Sequence, residues 1–138
     1  MTAHFTIDVK PQALPDTNKA LELHFGYGWV SALADAAGKR RPPSRYAEAA
    51  KVLRFLAAIA ARKARLPSCQ HPVDIDFFFC GFETWDADAW YLPGKWILDG
   101  LRDAGVIRND RTMVGRIAGQ ILRAQHPRIE VRLTDGLP

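Results

Sequence analysis

The stretch from Val73 to Asp110 limits the possible folds of this chain more than any other. Val73, Ile75, Phe77 and Phe79 alternate with Asp74 and Asp76, and then Phe78 and Cys80 join the apolar set. This reads as a strand that starts amphipathic and becomes buried on both faces, central to a sheet. It runs straight toward Asp86 and Asp88. Pro93 suits the first turn of a helix, where its missing N–H costs nothing. Ile97, Leu98, Leu101 and Ala104 give that helix a buried face, while Lys95, Asp99 and Arg102 lie together on another. Gly105 stands where a C-terminal cap belongs. Val106 and Ile107 then lead into Asn109 and Asp110, so the helix acts as a crossover that brings a third acid back.

The flanking segments complete a sheet. Phe5, Ile7 and Val9 alternate with Thr6, Asp8 and Lys10, a half-buried strand that Pro11 and Pro15 interrupt. Asp16 to Lys19 reads as a turn or loop. Between Leu21 and Leu33, with Gly26, Gly28, Tyr27 and Trp29, a hairpin and an ordered loop both fit. Gly38 to Pro43 is a basic linker, readable as a solvated loop or as a phosphate contact. Ser44 can N-cap a helix from about Arg45 to Arg65, with Tyr46, Ala49, Leu53, Leu56, Ala57 and Ala60 on one stripe. Met113 to Leu122 has features of both periods, and the glycines at 115 and 119 tilt it to a strand. Ile129, Val131 and Leu133 form a clear strand after the His126-Pro127 turn. The expected fold is α+β: a small mixed sheet, a long helix in the N-terminal half and a short helix after the acidic loop. Residues 1–138 read as one domain.

Composition bounds the function. A chain of 138 residues that is 48% hydrophobic and 25% charged can bury a core without staples. Its longest apolar run is too short for a bilayer, and its start lacks a basic region followed by an apolar one. Cys69 and Cys80 have no metal-ligand spacing and read as reduced structural thiols, so a cytoplasmic location is expected. The four histidines are scattered, which argues against zinc. Neither a glycine-rich phosphate loop nor Gly-x-Ser-x-Gly is present. A formal net charge of +4 with pI near 9.3 leans toward a polyanionic partner.

Asp86 and Asp88 are the leading candidates for chemistry. In an extended segment, acids one residue apart share a side. With Asp110 beside them they would repel one another unless a cation sat between, and hard oxygen ligands suit Mg2+ or Mn2+. A divalent ion makes a nucleophilic water at neutral pH and relieves charge on a phosphodiester. Lys95 would add a positive charge for the phosphate. The plain alternatives are a solvated Asp-x-Asp turn and an ordinary Lys95–Asp99 surface pair.

The whole stretch resembles the RusA family of Holliday junction resolvases, common in bacteria and their prophages. Asp86 and Asp88 match the family's leading aspartates, Lys95 its lysine, Asp99 the acid four residues on, and Asp110 the second member of its late aspartate pair. Asn18 and Lys19 are similar to its N-terminal Asn-Arg segment, and the order of elements agrees along most of the chain. Ala89 replaces an asparagine, three extra residues precede Lys95, and Asn109 replaces the first late aspartate. The resemblance implies a homodimer that binds four-way DNA junctions and nicks two symmetry-related strands with Mg2+ or Mn2+, in recombination and repair. It implies Asp86, Asp88 and Asp110 as metal ligands, with Lys95 catalytic and Asp99 and Asn109 in support. Asn18, Lys19, Lys39, Arg40 and Arg41 are the expected DNA contacts. The alternative is a branched-DNA-binding dimer of the same fold that has lost cleavage.

Overall fold

The structure is a computed structural model, and it describes residues 2–14 and 45–135. Its elements are β1 (Thr2–Ile7), a single 3-10 turn (Pro11–Ala13), α1 (Arg45–Lys63), β2 (Val73–Cys80), α2 (Tyr91–Asp103), β3 (Val114–Leu122) and β4 (Arg128–Thr134). The strands form one mixed sheet in the order β1-β4-β2-β3. β4 lies antiparallel between β1 and β2, while β3 runs parallel to β2. A parallel neighbour needs a crossover, and α2 supplies it. Among the described residues the architecture is thus α+β, with a four-stranded mixed sheet and two α-helices, as the periodicities imply.

Alternation decides which face is buried. Val73, Ile75, Phe77 and Phe79 of β2, Ile129, Val131 and Leu133 of β4, and Phe5 and Ile7 of β1 point into one core. Leu53, Ala57 and Ala61 of α1 and Ile97, Leu98 and Leu101 of α2 cover them. The other face of β2 is less enclosed than a strand buried on both sides would be: Asp74, Asp76 and Phe78 are only half-buried. There the Arg132 guanidinium lies 4.8 Å from the centre of the Phe78 ring.

Small residues set how closely the two helices approach. A Cβ on Gly100 would stand 2.5 Å from the Arg54 carbonyl oxygen and 2.7 Å from the Ala57 Cβ, so α2 crosses α1 at backbone distance. Arg54 then donates to both carboxylate oxygens of Asp103, at 2.5 and 2.7 Å, and Arg62 donates to the Asp103 carbonyl at 3.0 Å.

Both helices end in the same way. Beyond α2, Gly105 (φ 76°) donates to Arg102 and Val106 donates to Leu101, each at 3.0 Å. This is the paired closure expected from a left-handed residue just past a helix. Beyond α1, Arg65 takes the same left-handed place (φ 55°), donating to Arg62, and Leu66 donates to Ala61. The helix therefore stops at Lys63, two residues short of the sequence expectation. Asn18, Lys19, Lys39, Arg40, Arg41, the 21–33 stretch, the 38–43 linker and the Ser44 cap lie outside the described residues.

Candidate functional site on the acidic loop and the polar face of α2

The loop between β2 and α2 is pinned by aromatic side chains. Phe82 is fully buried and packs edge-on against Phe79 at 5.3 Å. Trp85 stacks near both, 5.7 Å from Phe79 and 4.9 Å from Phe82. Ala89 is buried, and Trp90 lies 6.1 Å from Phe77. Trp90 also fills the space where a Cβ on Gly119 would stand, so this glycine of β3 is the indole's seat. With these apolar residues turned inward, Glu83, Asp86 and Asp88 are left exposed to solvent. The ten-residue acidic loop (residues 81–90) is thereby held to the sheet by its aromatic side chains.

The two leading acids do not sit on an extended segment, as their one-residue spacing led us to expect. The Ala89 N–H donates to the Asp86 carbonyl at 3.0 Å, and the Tyr91 N–H to that of Asp88 at 3.4 Å. The chain is already turning into α2 here, beside the buried Ala89 and the half-buried Trp90. Side chains in such a turn do not alternate with a period of two.

From Asp88 the polar residues continue along α2 at helical spacing. Lys95 is exposed, two turns on, and Asp99 and Arg102 follow at i+4 and i+7 from it. Arg102 contacts Asp99 at 3.4 Å and Asp110 at 3.9 Å. Arg102 thus links Asp110 to Asp99 in the second half of α2. Asp110 contacts Arg102 and is not grouped with Asp86 and Asp88 as a set of metal ligands. The cause is topological. β3 starts in register with the start of β2, Val114 opposite Val73, so the residues after α2 return to the amino end of that pair. The Val73 N–H donates to the Met113 carbonyl at 2.9 Å and fixes the return.

Asn109 closes the turn before β3. Its side-chain oxygen accepts from the Thr112 N–H at 2.7 Å and from the Thr112 hydroxyl at 2.8 Å.

Among the described residues, no three or more of His, Cys, Asp and Glu are grouped so as to hold a metal ion. The donor chemistry of Asp86 and Asp88 nevertheless suits a hard divalent cation. Mg2+ is commonly bound by one or two carboxylates together with substrate phosphates and waters, not by an all-protein cage. A pair of exposed acids on a pinned loop fits that manner of binding, whereas a three-acid set does not form.

Sequence reasoning passed over Phe82, Trp85, Trp90 and Gly119, which position this loop. The available signal was three large aromatics interleaved with acids in a segment read only for its carboxylates. No helix among the described residues is long and apolar enough to cross a membrane. Neither a scan against protein-family models nor a search of curated proteins finds a match to this chain.

Proposed function

We propose that this protein is a metal-dependent, structure-selective endodeoxyribonuclease that acts as a homodimer on four-way branched DNA. The observation that carries the reading is the acidic loop: Asp86 and Asp88, exposed and anchored by buried aromatics, lead into a helix that carries Lys95. The spacing of these residues, and the order of strand, loop, helix and strand around them, support the likeness to RusA resolvases. In this reading Asp86 and Asp88 hold Mg2+ or Mn2+ together with a DNA phosphate, and Lys95 contributes a cation toward that phosphate. The ion, when bound, supplies an acidified water and relieves charge on the phosphate oxygens. The rigid seat of the loop keeps both carboxylates in place before DNA arrives, which lowers the cost of ordering them on binding. Asp110 and Asp99, joined through Arg102, form a separate polar cluster lower on α2.

The second reading, a branched-DNA-binding dimer without cleavage, is favoured by one observation: Asp110 lies with Arg102 and not with the loop acids. Purified protein incubated with labelled four-way junction and linear duplex, with and without Mg2+ or Mn2+, separates the two. Metal-dependent nicks confined to the junction support the nuclease. Junction retardation with no metal-dependent product selects the binding protein, and salt-insensitive absence of any DNA binding removes both.

A further inference from the structure

The α1 helix carries two apolar stripes. Leu53, Ala57 and Ala61 face the core. On the opposite side, Val52, Phe55 and Ile59 follow at i, i+3 and i+7, the spacing of a helix–helix seam. Val52 is 54% and Phe55 62% exposed, the two most exposed large hydrophobic residues among those described. A single exposed apolar side chain is ordinary, but a stripe at helical spacing is a surface that association would cover.

The charges at the two ends of the stripe indicate what covers it. Glu48 stands one turn before Val52, and Lys63 one turn after Ile59, both exposed on the same side of the helix. We infer that two copies of the chain pair through this face of α1, antiparallel, about a twofold axis between Phe55 and Leu56. That one axis brings Val52 onto Ile59 of the second copy and Glu48 onto Lys63 of the second copy, each contact occurring twice. A parallel arrangement would instead set Glu48 against Glu48 and Lys63 against Lys63. The more basic flank beside Phe55 is partly neutralised within each copy, since Arg54 pairs with the Asp103 carboxylate. An isologous contact of this kind is self-complementary, as a closed dimer requires. The inference deepens the homodimer part of the reading above by naming its surface, and it does not depend on cleavage.

Sedimentation analysis of the full chain tests the pairing, with junction nicking followed in parallel. Phe55→Glu should weaken the dimer about 30-fold or more while leaving the thermal midpoint of the monomer in place, because the side chain is outside the core. Val52→Lys serves the same purpose if Phe55→Glu does not fold. Glu48→Lys and Lys63→Glu should each weaken self-association about threefold to tenfold. An equimolar mixture of those two variants should pair as tightly as the unaltered chain, since both cross-contacts are then between opposite charges. A dimer indifferent to Phe55→Glu and Val52→Lys overturns the surface but leaves the homodimer reading standing. A chain monomeric up to about 0.1 mM overturns both. Nicking by either sample reports on the chemistry alone.

Discussion

Asp110 pairs with Arg102 in the last turn of α2, 3.9 Å from its guanidinium. Among the described residues, Asp110 is not grouped with Asp86 and Asp88 as a set of metal ligands. They can still serve one DNA-binding surface, with the loop acids at one end and a charge-paired cluster at the other.

The consequence for catalysis is unequal sensitivity. Asp86→Asn and Asp88→Asn should each lower metal-dependent nicking of a four-way junction about 100-fold or more. Retardation of the junction should persist or strengthen, because an anionic side chain near phosphate has been removed. Asp110→Asn should cost less than about tenfold, a loss on the scale of a surface ion pair. Equal, near-complete loss in all three variants would show that Asp110 leaves Arg102 and joins the loop acids when DNA binds.

The seat of the loop can be tested away from its acids. Gly119→Ala puts a methyl group into the Trp90 indole, and overpacking of this kind costs about 1–3 kcal/mol. Chemical denaturation should show that loss, and nicking should fall with it although no charged group has changed. Stability within about 0.5 kcal/mol of the unaltered protein would mean that Trp90 has another place to go.

Arg65 occupies a left-handed backbone conformation that disfavours a side chain. Arg65→Gly should therefore stabilise the fold by about 0.5–1 kcal/mol, read as a rise in the denaturation midpoint with an unchanged slope. A fall would mean that the arginine side chain contributes more than its backbone costs.

Asp103 provides a pH signature. The hydrogen bonds from Arg54 hold its carboxyl below the usual carboxylate range, opposed by partial desolvation and aided by the charges of Arg54, Arg102 and Arg62. A depressed folded-state pKa gives stability that is fully present above the unfolded pKa, about 3.9, and is lost as pH falls through the folded value. Thermal melts of the protein and of Asp103→Asn should thus differ by a constant amount between about pH 5 and 7 and converge below about pH 4. Both groups are substantially exposed, at 42% and 38%, so the gap should be small and should narrow in high salt. A gap that persists undiminished at low pH would assign the stability to packing and not to charge.

Much of this fold is written in short-range pattern. The alternation of Val73 to Phe79 and of Ile129 to Leu133 determined two strands and the faces they bury, because a side-chain period of two leaves no choice once one face is apolar. Gly105 determined where α2 ends, since its left-handed conformation closes the last turn from within six residues. The acids of the loop and Lys95 were likewise legible as a chemical pattern. What only the tertiary structure decided is where those acids go. The parallel register of β2 and β3 carries Asp110 to the amino end of the pair, and Asp86 and Asp88 lie in a turn beside the buried Ala89 and the half-buried Trp90. Seating of the Trp90 indole on Gly119, 29 residues away in sequence, is equally invisible to local periodicity. Spacing along a chain fixes the conformation of neighbours, whereas the meeting of distant side chains depends on strand order and register, which are settled by packing of the whole core.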